Sequence, residues 1–272
     1  MKRVVKNIQS SDVENPIYSI VIPIRDRCEH MLRNCLRSVE LQTLEPVETI
    51  IVDFGSTHEN HLKILDIAKG CTVYRYQTKE PWNLSRARNI GLRRAKAEHS
   101  GVLDCDLILE PRVFELTHQI HEAYTRCYIT TKVILLSPNA ISPSQIQLPE
   151  AYPLLRKAPY LKRAEGWGGF TSSPKSWWFE CRGFDERMTW WGWEDVDMWK
   201  RVARGKLNRC RLQKIKQGSH EIYHQYHTNA QTAALQQKNM PIFEAIMLNE
   251  DYAKHTQGII RNDENWGRWS ED

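Results

Sequence analysis

A chain of 272 residues, 41% hydrophobic and 26% charged, has the balance of one large globular domain or two small ones, which excludes a disordered or fibrous protein. Lys and Arg outnumber Asp and Glu by 38 to 33, giving a pI near 8.8 and a mild attraction to phosphate-bearing partners. Seven cysteines at irregular spacing contain no CxxC pair and read as thiols of a reducing compartment.

The N-terminus has basic residues but no apolar segment of the signal-peptide kind, and no apolar run is long enough to span a bilayer. The expectation is a cytoplasmic protein, at most peripheral on a membrane. Residues 1–16 read as a polar leader. "IYSIVIPI" is then a buried β-branched strand, closed by the turn "RDRCEH". In "MLRNCLRSVELQ" the apolar residues Met31, Leu32, Cys35, Leu36 and Val39 recur at three and four, predicting a helix that Pro46 ends. "VETIIVDF" is a second strand, "NHLKILDIAKG" a helix stopping at Gly70, and "CTVYRYQ" a third strand. This alternation is the mark of an α/β protein with a parallel sheet.

The pattern continues through a helix over "SRARNIGLRRAKAE", a fourth strand "GVLDCDLIL", a helix "VFELTHQIHEAY" and a strand "RCYITTKVILLS". Residues 137–165 hold five prolines and little periodicity, predicting a loop-rich crossing. "EDVDMWKRVAR" reads as a helix with acids in its first turn, within the Trp-rich stretch "TWWGWEDVDMWKR". The tail after about residue 229 is polar and carries no clear period.

Several residue groups have the types that chemistry needs. As the end of one strand, Asp104 and Asp106 of "LDCDL" would point the same way, roughly 7 Å apart, where they could share a hard divalent ion such as Mg²⁺ or Mn²⁺. Their place suits a ligand site, because open parallel sheets bind ligands beyond the carboxyl ends of their strands. Arg25 and Arg27 after the first strand either fork onto a diphosphate or ride a solvated turn. Asp53, ending the second strand, either accepts hydrogen bonds from a nucleoside or caps the next element. Arg86, Arg88 and Asn89 lie near a helix start, which favours anions; alternatively Ser85 is a plain cap and the arginines face water. The glycines of "GWGGF" allow close approach of a ligand to backbone, or make a tight turn.

Aromatic rings beside carboxylates suit a sugar. In "WEDVD" the helix dipole accounts well for Asp197, whereas Asp195 is a candidate general base, held ionised at the head of a helix, with Glu194 binding acceptor hydroxyls. In "YHQYH", His224 and His227 offer an imidazole to the metal. The run Lys200–Lys216 has eight Lys/Arg and no acid, which is either a solvated helix face or a face for anionic lipid or nucleic acid. A nucleotidyltransferase making sugar nucleotides would need a glycine-rich phosphate loop where "IRDRCEH" stands.

In order along the chain, these blocks resemble the GT-A glycosyltransferases: inverting family 2 and, more closely, the β-1,4-galactosyltransferase and chondroitin polymerase group. "VIPIRDRCEHM", "WNLSRARNIG", "DCDLILEP", "GWGGF" and "RGFDERMTWWGWEDVD" each resemble a family block, together spanning residues 17 to about 205. The sequence departs at Phe54, where family 2 commonly has a second acid, and at "WGWED", which is tighter than the galactosyltransferase motif.

The resemblance implies a mostly parallel, Rossmann-like sheet flanked by helices. A nucleotide-sugar half over 17–136, an acceptor and catalytic half over 137–228 and a tail over 229–272, a possible lid, would form one domain. Pro23, Arg25, Arg27, Asp53, Arg86 and Asn89 would bind a nucleotide sugar, most simply a UDP-sugar, together with Asp104, Cys105, Gly168 and Gly169. Asp104 and Asp106 would hold Mn²⁺ or Mg²⁺ with His224, or with His227 as the alternative. Asp195 would be the base, and Trp191, Trp193 and Glu194 would hold a glycan or other hydroxyl acceptor during one in-line, inverting displacement.

Overall fold

The computed structural model describes residues 5–27, 29–164, 168–190, 192–212, 220–227, 238–245 and 258–268. Four strands form the parallel centre expected from the sequence, in the order β4 (Thr72–Tyr76), β3 (Val47–Phe54), β2 (Tyr18–Ile24) and β5 (His99–Leu103). Side chains alternate across each strand. Ile20, Ile22 and Ile24 of β2 therefore enter one core layer with α1 (Glu29–Glu40), α2 (His58–Ile67) and α4 (Val113–Ala123). Val21, with Ile50, Val52 and Phe54 of β3, faces the other layer, built on α3 (Leu84–Arg94), α6 (Lys175–Cys181) and α7 (Glu194–Arg204). Gly91 lets α3 lie against β2, since a Cβ there would sit 2.3 Å from Val21 Cγ1.

The large sheet is mixed rather than purely parallel, with eight strands among the described residues. Beyond β5 come β10 (Phe170–Pro174), antiparallel, then β7 (Cys127–Thr130) and β11 (Asn208–Arg211). On the other edge, β1 (Val5–Gln9) pairs antiparallel with β4, so the polar leader is partly a strand, supported by Gln9 donating to the carbonyls of Ala68 and Cys71. Its polar alternation hid it, as suits a sheet edge.

Two expected strands each divide in two. "GVLDCDLIL" becomes β5 and β6 (Leu107–Leu109), and Asp104–Cys105–Asp106 forms the turn between them, with Leu107 N–H donating to Asp104 O at 3.1 Å. "RCYITTKVILLS" likewise becomes β7 and β8 (Val133–Leu136). In both cases the second piece joins a smaller sheet ordered β6, β12 (Ile222–His224), β8 and β9 (Tyr160–Ala164). The small sheet buries Ile108, Ile134, Leu136 and Tyr223 against a separate apolar cluster, which a straight continuation of the large sheet would leave in water.

The proline-rich crossing is more ordered than expected. It holds a 3₁₀ turn at Pro143–Gln145, α5 (Tyr152–Leu155) and β9, with prolines in the first turn of both helical pieces, where the missing N–H has no intrahelical partner to lose. The end of the tail is also fixed. Trp266 and Ile259 are buried in the layer of α3, α6 and α7, and Arg93 and Arg94 donate to the carbonyls of Trp266 and Gly267, so 258–268 packs against the framework. Residues 238–245 are helical, and the other positions after 227 lie outside the described residues. Among the described residues no helix is long and apolar enough to cross a membrane.

Candidate active site

The candidate site forms at the carboxyl ends of the central strands. After β2 the chain turns sharply at Asp26, whose φ of 47° is left-handed and whose Oδ1 accepts from Thr57 N and Asn60 Nδ2, both at 2.8 Å. The turn sends its two arginines apart. Arg25 donates to Glu80 O at 2.6 Å, and Arg27 reaches Asp106 Oδ2 at 2.9 Å. Pro23 stays inside β2 as part of the wall behind them.

Asp106 is buried and surrounded by donors. His227 Nε2 lies 3.1 Å from its Oδ2 and His224 Nε2 3.7 Å from its Oδ1, and Oδ1 itself has no hydrogen-bond partner. Burial pushes this carboxyl up, but His224, His227 and Arg27 outweigh it and hold the group well below the usual carboxylate range. The ligand atoms of Asp106, His224 and His227 all lie within 4.8 Å of one another. A carboxylate oxygen with no hydrogen-bond partner, beside two imidazoles, fits a divalent ion of the Mn²⁺ type. Both histidines converge, so the structure gives no preference to His224.

Asp104 is placed differently from its partner in the motif. Its Oδ1 accepts from Arg88 Nη2 at 2.9 Å, and it is not one of the three residues whose ligand atoms converge within 4.8 Å. Burial raises its pKa, with Arg88 opposing and Asp106 adding to the rise. Cys105 between them is buried, and burial together with Asp106 keeps its thiol protonated.

Arg88 is the residue that the sequence left ambiguous. It projects from the first turns of α3 with 1% of its side chain exposed, donating to Asp104, to Gly168 O at 2.7 Å and to Glu194 Oε1 at 3.4 Å. One guanidinium thus joins the DxD turn to the head of α7. Its spacing in "SRARNIG", three residues before the glycine that packs on β2, is the signal that it faces inward.

The other two residues of that block are engaged elsewhere. Asn89 is buried, accepting from Phe184 N and donating to Phe184 O and Glu186, while Arg86 pairs with Glu80 and Glu186. Asp53 is fully buried as well, with Oδ1 accepting from Ser56 N and Oδ2 2.7 Å from His61 Nδ1. Asn89 and Asp53 therefore brace loops around the site rather than open into it.

The head of α7 faces the DxD turn across Gly168–Gly169. A Cβ on Gly168 would lie 3.2 Å from Asp195 Oδ2, and one on Gly169 would lie 3.8 Å from Asp104 Oδ2, so the two glycines fill the gap between the acids. Asp104 N–H also donates to Gly169 O at 2.9 Å. Trp193 caps α7 in a left-handed conformation (φ 71°) and packs on Phe243 at 5.0 Å. Trp191 lies outside the described residues.

The three acids of α7 have three fates. Glu194 is buried with Oε2 unpartnered, and burial and Asp195 raise it to about 7 against the pull of Arg88. Asp195 is half-buried and accepts from Val196 N, and burial raises it above the usual range. Desolvation thus outweighs Arg88 and the backbone N–H groups that would hold Glu194 and Asp195 down. Asp197 is fully buried between Arg201 and Arg261, at 2.8 Å from each, and is structural. Arg201 is therefore lost to the expected basic face at 200–216, whose residues 213–216 lie outside the described set.

This arrangement, a helix-flanked sheet with an acidic turn at its carboxyl edge facing an acidic helix head, is the GT-A glycosyltransferase fold. A model described as glycosyl transferase family 2 matches residues 19–187, and one for the N-terminal domain of galactosyltransferase matches 155–228. The chain belongs to glycosyl transferase family 2. It is 27% identical over 224 residues to a chondroitin synthase of Pasteurella multocida, covering 69% of this chain and 23% of that protein. To a chondroitin synthase of Escherichia coli it is 24% identical over 220 residues, covering 68% of this chain and 32% of the relative. The chain thus spans a third or less of the length of these relatives. The crystal structure of S. aureus TarS 1–349 in complex with UDP-GlcNAc matches with a TM-score of 0.59 at 13% identity, over 89% of this chain and 70% of that one, a likeness of fold.

Proposed function

We propose that the chain transfers a hexose or N-acetylhexosamine from a UDP-sugar to a hydroxyl of a glycan acceptor, with inversion at the anomeric carbon and dependence on a divalent metal. The observation that carries this reading is the convergence of Asp106, His224 and His227 on one side of Arg88, with the paired acids Glu194 and Asp195 on the other. Relatives named chondroitin synthase and a fold neighbour solved with UDP-GlcNAc support the choice of donor and acceptor class.

Asp106, His224 and His227 would hold Mn²⁺ or Mg²⁺, which when bound supplies positive charge to a diphosphate leaving group. Arg27 lies beside the same carboxylate, ready to exchange onto a phosphate oxygen. Asp195 accepts the proton of the acceptor hydroxyl as its oxygen bonds to the anomeric carbon and the bond to the diphosphate oxygen breaks, the electron pair leaving with the nucleotide. A carboxylate whose basicity is raised by burial is suited to that step. Glu194, held by Arg88, and Trp193 form the acceptor wall.

The test is transfer from UDP-GlcNAc, UDP-GlcA and UDP-GalNAc to chondroitin oligosaccharides with Mn²⁺ or EDTA, reading product anomer by NMR. A metal-requiring product of inverted configuration is expected. Retention, or equal rates in EDTA, overturns the mechanism.

A further inference from the structure

The opposite end of β5 carries a second cluster of metal-ligating side chains. His99 opens the strand, five residues and so about 16 Å from Asp104 along an extended chain. His118 and Glu122 lie one turn apart on α4, which packs over this end of the sheet, with His118 Nε2 4.0 Å from Glu122 Oε1. The ligand atoms of His99, His118 and Glu122 all fall within 4.8 Å of one another.

The cluster is supported from beneath. His99 stacks on His121 with ring centroids 4.3 Å apart and planes 9° from parallel, while His118 meets His99 edge-on at 6.2 Å. His121 has both nitrogens engaged, Nε2 with Ser172 Oγ at 2.7 Å and Nδ1 with Cys127 Sγ at 3.2 Å, so it is a fixed platform rather than a ligand. Two rings are thereby oriented before any ion arrives. His118 Nδ1 is buried with no hydrogen-bond partner, which leaves Nε2, on the Glu122 side, as the nitrogen open to an ion.

We propose that His99, His118 and Glu122, with water in the fourth position, form a second metal site that binds a borderline transition ion of the Zn²⁺ class and staples α4 to the start of β5. Two imidazoles and one carboxylate suit Zn²⁺, whereas Mg²⁺ and Ca²⁺ prefer oxygen ligands throughout. Metal–ligand bonds of about 2.0–2.2 Å place ligand atoms of a tetrahedral site roughly 3.3 Å apart. Rotation of the exposed Glu122 side chain closes the remaining gap without moving backbone.

The experiment is a titration of the metal-free chain with Zn²⁺ by calorimetry, repeated with Co²⁺ to read coordination by absorbance. The wild type should bind at two classes of site, the double variant Asp106→Ala/His227→Ala should retain one, and His118→Ala should lose that one. The loss should exceed the roughly 10- to 100-fold that removal of an outer-shell partner brings. Glu122→Gln, at an exposed position, should weaken the same site, and it keeps the question answerable if His118→Ala fails to fold. Undiminished binding in folded His118→Ala or in Glu122→Gln overturns the proposal, as does absence of any Zn²⁺ binding by a folded Asp106→Ala/His227→Ala chain. Because the test reads binding at the far end of the sheet, it is decided independently of the transfer assay.

Discussion

Arg88 Nη2 lies 2.9 Å from Asp104 Oδ1, joining a guanidinium that is 1% exposed to a carboxylate that is one-third exposed. The contact ties the DxD turn to α3, and through the same guanidinium to Glu194 on α7. One guanidinium thereby links the DxD turn, α3 and the head of α7.

Arg88→Met should remove about 3–5 kcal/mol of stability, because it leaves the buried Glu194 without its cation and strips the partly exposed Asp104 of its partner. Arg88→Lys keeps the charge but not the fork, and should recover part of the stability and little of the activity. Urea unfolding with parallel rate measurements separates the two.

Asp195→Asn and Asp197→Asn should diverge although they are two residues apart. The first should lower kcat by about 10²–10⁴ with little change in stability. The second strips the counterion from Arg201 and Arg261 and should cost about 3–5 kcal/mol, so that any loss of activity tracks loss of folded protein. Retained kcat in folded Asp195→Asn would remove that residue as base.

The contribution of Glu194 to stability should fall as pH rises from about 4.5 to about 7, against the opposite contributions of His61, His99 and His121, whose pKa values burial lowers. Glu194 is raised in the folded state to about 7, so between its unfolded and folded values the native protein binds more protons, and deprotonation disfavours it. Glu194→Gln should remove that falling contribution and be the more stable protein at pH 8. Melting temperatures of both proteins at pH 5 and pH 8 check the sign; a wild type and a variant with parallel pH dependence contradict it.

Removing metal with EDTA should abolish the stabilisation by UDP that Mn²⁺ supports, and Asp106→Ala should reproduce the effect. His224→Ala and His227→Ala should each weaken it, since both imidazoles face the same carboxylate. Thermal shift with UDP and graded Mn²⁺ ranks the three.

Gly168→Ala should lower kcat more than it lowers stability. Its Cβ would stand 3.0 Å from Asp195 Cβ, tight enough to turn the carboxylate but at the half-buried edge of the helix. A kinetic comparison with Gly91→Ala sharpens the point, because there the clash is with Val21 in the core and stability should fall first, by about 1–3 kcal/mol.

The order of elements was legible because each is written in local spacing. The β-branched runs Tyr18–Ile24 and Val47–Phe54 cannot hide an alternating face, and Met31, Leu32, Cys35, Leu36 and Val39 repeat at a helix period. The same locality accounts for the two divided strands: "GVLDCDLIL" and "RCYITTKVILLS" have strand periodicity throughout, and nothing within them records that a second sheet competes for their second halves.

By itself, then, the sequence determined the flanked parallel centre, the acidic motif at the end of a strand run and the acidic helix head, since these depend on neighbours two to four residues apart. Tertiary structure alone decided which charges do what. Asp197 is structural because Arg261, sixty-four residues away, closes on it, and Asp106 rather than Asp104 meets the histidines because β12 pairs with β6. Asp53 and Asn89 became braces because His61 and Phe184 fold over them. A carboxylate's role is set by the charges and burial that surround it in space, and local spacing does not encode those contacts.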